Sequence, residues 1–186
     1  MKKYEGFEKV EAFTGDYEVL EPGGYVCKIL KVVSEENDYG TLLRIAFDIA
    51  EGEKTGYVKR LFEKRKESFT DAKYPNIGMY YQTIRDDETS LKYFKGFTTA
   101  IEKSNNGFKW DWDEQKLVGK LFGGIFGQEE YESQGEIKLA TKCRFVRSVE
   151  QIREGNFKIP DIKKLKKSNS NYGDFQTVDT TDDLPF

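Results

Sequence analysis

Residues 91–103 read LKYFKGFTTAIEK, and the spacing of their apolar positions decides the fold. Leu91, Phe94, Phe97, Thr98 and Ile101 recur at intervals of three and four, which gathers them on one side of a helix and scatters them on a strand. Ser90 is a suitable N-cap, and SNNG at 104–107 supplies the stop. Gly96 lowers helix propensity without breaking the period. The spacing predicts a helix, and the segments on either side of it read as strands.

Upstream, GGYVCKILKVV (23–33) follows Pro22 and is rich in Val, Ile and Tyr, the composition of a strand. LLRIAFDIAEG (42–52) alternates, with Leu43, Ile45, Phe47 and Ile49 on one side. Arg44, Ala46 and Asp48 fall on the other, which predicts a half-buried strand with a polar outer face. GYVKRLFEKR (56–65), aromatic and basic together, is the third strand candidate. Downstream, KLVGKLFGGIFGQEEY (116–131) reads as a strand bulged or bent at its glycines. EIKLATKCRFVRSV (136–149) alternates through Ile137, Leu139, Thr141, Cys143, Phe145 and Arg147. Three strands, a helix and two strands predict a mainly β domain, a five-stranded OB-fold-like Greek-key barrel with one helix between strands 3 and 4. The domain spans 23–160, behind a lead-in over 1–22 and ahead of a tail over 161–186 that is expected to be disordered, being poor in apolar residues.

A chain of 186 residues suits a single core. Its 14 Phe and 11 Tyr are enough to fill that core and still furnish rings for a surface. The absence of histidine removes the commonest general base and every histidine-ligated metal site, so any enzymatic chemistry would rest on carboxylates, Lys or Tyr, and the expectation is a protein that is not an enzyme and carries no cofactor. Asp111, Asp113 and the Glu136–Lys138 triplet loosely match the acid-x-lysine element of metal-dependent nucleases. In a chain that is 34% charged such a triplet arises by accident. Cys27 and Cys143 lie in apolar segments and read as two buried thiols. The charged N-terminus and the lack of any run of about 20 apolar residues predict a cytoplasmic protein that makes no membrane contact.

Charge is segregated along the chain. Residues 168–186 hold four Asp and no base, and residues 1–23 hold six acids against three Lys, so the body between them is net basic. Within it, residues 54–73 carry seven bases and three acids. Single-stranded nucleic acid needs cations for its phosphates and flat rings for its unstacked bases. The candidate site built on that logic comprises Tyr57, Lys59, Arg60, Phe62, Lys64, Arg65, Lys66, Phe69, Lys73 and Tyr74, extended by Tyr80, Tyr81 and Arg85 of MYYQTIRDD (79–87). Trp110 and Trp112, flanked by acids, read as core or lid packing.

The chain finishes in DDLPF: Asp182, Asp183, Leu184, Pro185 and Phe186. A terminal ring can fill an apolar pocket while its carboxylate pairs with a base, proline limits the entropy lost on docking, and the acids add rim attraction. A basic, aromatic, OB-like body followed by a Ser/Asn/Gly tether and this ending resembles the single-stranded-DNA-binding proteins of bacteria and their phages. The long lead-in and the extended region 66–90 resemble a phage-encoded form, which places the protein in a bacterial or phage-infected host cell. The resemblance implies a protein that coats single-stranded DNA, as a monomer or a homo-oligomer, and recruits replication, recombination or repair proteins through residues 182–186. A protein-interaction adaptor that displays the tail without touching DNA is the alternative.

Overall fold

The computed structural model describes residues 19–165. The chain runs through β1 (Gly23–Asn37), β2 (Gly40–Ile49), α1 (Tyr57–Ser68), β3 (Met79–Ile84), α2 (Glu88–Ser104), β4 (Leu121–Ser133), β5 (Glu136–Arg147) and α3 (Val149–Arg153), with single 3-10 turns at Asn76–Gly78 and Glu114–Leu117. The described residues form a mainly β structure of five antiparallel strands in one sheet, ordered β3-β2-β1-β4-β5, with three α-helices.

The long β1 organises the sheet. Its first half pairs with β4, from Gly23 opposite Phe126 to Lys28 opposite Leu121, and its second half pairs with β2, from Cys27 opposite Ile49 to Asn37 opposite Gly40. A bulge at Leu30, the residue skipped between Ile29 and Lys31, lets one strand serve both partners by increasing its local twist. The β1–β2 hairpin closes over Asp38-Tyr39, where the Asn37 side chain accepts from the Tyr39 N–H at 2.9 Å. The sheet remains open, since no ladder joins β3 to β5 among the described residues. Its two end strands nevertheless face each other across a cleft lined by Met79–Tyr81 on one side and Lys142–Arg144 on the other.

Inside the curl, Phe47 meets Phe122 and Phe126 edge-on, with ring centroids 5.3 and 6.0 Å apart. All three are fully buried, each contributing roughly 1.5–3 kcal/mol. Helix α2 closes this core with Phe94, Phe97, Ala100 and Ile101. It begins two residues before the N-cap expected at Ser90: Asp87 is the N-cap, its carboxylate accepting from the Ser90 N–H at 2.8 Å. At the other end, where the SNNG stop was expected, the Asn105 side chain donates to the Ile101 and Leu121 carbonyls and accepts from the Leu121 N–H. A smaller cluster of Val26, Ile125, Val149 and Ile152 forms where α3 packs on β1 and β4. A Cβ at Gly123 would lie 2.3 Å from Ile152, so only glycine permits that approach.

Two expectations are corrected. GYVKRLFEKR is not a strand but the body of α1, and β3 is the later MYYQTI. Tyr57, Val58, Leu61 and Phe62 stand at i, i+1, i+4 and i+5, the inward stripe of a helix, while the charged residues between them face water. The outer face of β2 is not polar and solvated either: Arg44, Ala46 and Asp48 are all buried. Arg44 pairs with Glu35 at 2.5 Å. Asp48 accepts from the Val58 and Lys59 N–H groups at 2.9 and 3.2 Å, supplying the N-terminal cap that Gly56 has no side chain to provide.

Cys27 and Cys143 are both free and buried, as their apolar settings imply. Burial pushes the Cys143 thiol up to about 12 and the Cys27 thiol well above its ordinary value, so both are held protonated. No helix of the described residues is long and apolar enough to cross a membrane.

Candidate functional site

The basic stretch 54–73 does not present its rings and cations together. Tyr57, Phe62 and Tyr74 are buried: Phe62 meets Tyr74 edge-on at 5.2 Å, and the Tyr74 hydroxyl donates to the Phe47 carbonyl at 2.9 Å. Burial raises the Tyr74 hydroxyl above its ordinary pKa, with the nearby Asp48 charge adding to the effect. These three rings belong to the core and leave no face for a base. Lys59, Arg60, Lys64, Arg65 and Lys66 line the convex outer side of α1, interleaved with Glu63 and Glu67. Lys66 turns back to Glu63 at 3.5 Å and over the Phe62 ring at 4.2 Å, and Arg60 donates to the Thr55 carbonyl at 2.6 Å. Phe69, 68% exposed, and Lys73 follow the helix and share a shallow cleft with Arg65.

Tyr80, Tyr81 and Arg85 lie elsewhere, at the open seam of the sheet. Strand alternation separates the two tyrosines. Tyr80 turns in and stacks on Phe97, centroids 5.7 Å apart and planes within 10°, whereas Tyr81 is 37% exposed. Tyr80 borders three adjoining clefts that together follow the seam. The first, between β3 and β5, holds Lys142, Arg144 and Lys163. The second, between α2 and β5, holds Lys92, Lys95, Lys103 and Arg147. The third, at the end of β3, holds Arg85 and Tyr93. Cations from α2, β5, the end of β3 and the segment after α3 therefore converge on one groove. Tyr81, Tyr93 (70% exposed) and Phe145 (40% exposed) give it rings.

Among the described residues only two acids line these clefts, and both are engaged. Asp87 caps α2. Glu129 pairs with Lys142, and with Lys163 at 3.7 Å. Burial by itself would raise the Glu129 carboxyl, but the Lys142 hydrogen bond and the charges of Lys142, Lys163 and Arg144 outweigh it and hold the group below its ordinary value. Lys163 is positioned by backbone: its N–H donates to Gln128 and its carbonyl accepts from Glu130, a parallel bridge to β4 in a segment that the sequence assigns to the tail.

The uninterrupted alternation expected of β5 is also corrected. Phe126 faces Cys143 and Ile125 faces Phe145, so Arg144 is the extra residue of a bulge. Past it the register flips, burying Val146 and turning Phe145 and Arg147 outward. The guanidinium carbons of Arg144 and Arg147 stand 5.9 and 5.8 Å from the Phe145 ring centroid. Arg144 Nη1 is buried with no hydrogen-bond partner among the described residues, an unmet donor at the edge of the groove. Sequence reading missed Lys92, Lys95, Lys103, Lys142, Arg144, Phe145, Arg147 and Lys163. The signal that could have found part of them is the helical spacing of the α2 lysines.

Trp110 packs edge-on against Phe94 at 5.6 Å, as expected of a core ring. Trp112 lies over this pair, its ring centroid 5.8 Å from Phe94 and 6.2 Å from Trp110, and is 71% exposed, with a left-handed backbone at φ 69°. Asp111 and Asp113 are both paired with Lys116, and no cluster of three potential metal ligands occurs among the described residues. Asp182, Asp183, Leu184, Pro185 and Phe186 lie outside the described residues. No protein-family model matches the chain, and no curated protein matches it.

Proposed function

We propose that the chain is a non-catalytic binder of single-stranded DNA that lays the strand along the β3–β5 seam. The observation that carries this reading is the convergence of eight cations and three exposed rings on one groove whose two acids are already engaged. Cations alone would suit any polyanion, whereas exposed rings beside them suit unpaired bases in particular, since every base has a face to stack. Contacts of this kind read no sequence, so the strand is coated with little preference. The strand order, with β1 shared between β2 and β4 and a helix between β3 and β4, supports an OB-like barrel open at the β3–β5 seam. Residues 182–186 are proposed to recruit replication, recombination or repair proteins, on the chemistry of an aromatic ring beside a proline and two acids.

Titration with oligo(dT) while following tryptophan and tyrosine fluorescence tests the binding. Quenching with an affinity that falls steeply as salt rises is expected. No binding at 50 mM salt would overturn the reading and favour the protein-interaction module. One observation already favours that second reading: β4 and β5 extend as a hairpin with Tyr131, Ile137 and Leu139 exposed.

A further inference from the structure

Helix α2 carries a glycine that its own packing does not require. Gly96 sits in the middle of the helix, where glycine is the least favourable residue after proline. A Cβ built there would meet nothing within 4 Å among the described residues, so none of them excludes a side chain. Gly96 lines the cleft between α2 and β5, about 480 Å³ in volume, to which the described residues contribute four cations and no acid. Lys92, Lys95, Gly96, Thr99 and Lys103 recur at i, i+3, i+4, i+7 and i+11, so they share one side of α2 and face Phe145 and Arg147 across the cleft. Lys92 is held by Glu88 at 2.6 Å, whereas Lys95 and Lys103 have no ion pair among the described residues. Lys92 to Lys103 spans about 16 Å of helix, enough for several nucleotides. A bare backbone patch between unpaired cations lets a sugar-phosphate chain lie directly against the helix, which a side chain at 96 would prevent.

Resting on the proposed binding of single-stranded DNA, we propose that a strand seated in the cleft between β3 and β5 leaves it for the α2 limb of the same groove. It continues across α2 over Gly96, its phosphates held by Lys95, Lys103 and Arg147. The two clefts adjoin at Tyr80, so the path needs no rearrangement. The α2 cleft thereby extends the site in length, and its contribution appears only with a strand long enough to reach it.

Gly96→Leu fills the cleft with a good helix former in open space, so its thermal midpoint should equal or exceed that of the wild type. Affinity is measured for (dT) of about 5 and about 20 nucleotides, bracketing the range of single OB-like sites. The variant is expected to lose about tenfold with the long strand and under twofold with the short one. The Lys95→Ala/Lys103→Ala pair should lower the salt slope for the long strand by about 1.4, two phosphates at roughly 0.7 each. Wild-type affinity for both lengths from both variants, alongside weakened binding by Tyr81→Ala, would overturn the α2 path and leave seam binding standing. An equal loss at both lengths would overturn it as an extension. A wild-type protein that binds neither strand would overturn the seam reading together with it.

Discussion

Helix α1, with five cations and two rings, and the β3–β5 seam, with eight cations and three exposed rings, are opposite constructions. On α1 the rings and cations belong to one continuous stretch, and the helix sorts them apart, with Tyr57 and Phe62 into the core and the lysines and arginines onto a convex, acid-interleaved face. At the seam the groups come from segments as far apart as Tyr80 and Lys163, and the fold brings them onto a concave surface with rings still exposed. Density along the chain measures neither convergence nor accessibility. A polyanion responds to those two, because a concave surface focuses the field of charges that a convex one spreads into solvent.

The largest contrast lies in the rings. Phe62→Ala empties a buried position against Tyr74 and should cost about 3–5 kcal/mol of folding stability, with affinity per folded molecule unchanged. Phe145→Ala removes a ring that is already 40% exposed and should alter stability by less than about 1 kcal/mol. Its effect is on binding, a loss of about 1–3 kcal/mol for (dT) strands. Denaturant unfolding read beside fluorescence titration separates the two columns. Were Phe62→Ala to weaken binding in molecules shown to be folded, the division between core rings and seam rings would collapse.

A smaller contrast lies in the cations. Arg144→Ala/Arg147→Ala should lower affinity about tenfold at low salt and reduce the slope of log K against log salt by about 1.4. Lys64→Ala/Arg65→Ala removes the same formal charge from α1 and should change affinity less than about twofold, with the slope nearly unchanged. Equal slopes for the two double variants would mean that DNA senses the molecule's net charge and not the groove.

Much of the architecture is written locally. The alternation of β2 and the three-and-four spacing of α2 are long enough to declare their periods, and with β1, β4 and β5 they yield the order of strands around a helix. Residues 57–68 failed because the pairs Tyr57-Val58 and Leu61-Phe62 fit a short strand as readily as two turns of helix, and the deciding partner, Asp48, lies ten residues upstream. The burial of Arg44, Ala46 and Asp48 was hidden for the same reason, since what covers that face of β2 is set by tertiary contacts. The seam left even less trace. A one-residue bulge at Arg144 changes no composition, yet it decides that Phe145 and Arg147 point outward. The α2 lysines were visible at helical spacing, but only the fold sets them opposite β5.

The smallest effect discriminates most finely. Among the described residues Glu129 is the one acid in the groove that does not cap a helix, and it holds Lys142 and Lys163. Glu129→Gln keeps the shape and removes the charge, leaving both lysines to phosphate, so affinity should rise about two- to threefold at low salt and converge with wild type at high salt. The pH dependence follows from the lowered pKa of this carboxyl. Its ion pairs stabilise the fold fully above the ordinary glutamate value of 4.5, and that contribution is lost as pH falls through the lower folded value. Protonation also releases both lysines, so wild-type affinity should approach the variant's only in acid below 4.5, where wild type loses its ion-pair stabilisation, while the variant has its affinity advantage already at neutral pH. On α1, Glu63→Gln frees Lys66 in the same formal sense. It frees it on a convex face, and no gain in affinity should follow. A gain from Glu63→Gln matching that from Glu129→Gln would show that the two surfaces are equivalent to a strand of DNA, whatever their geometry.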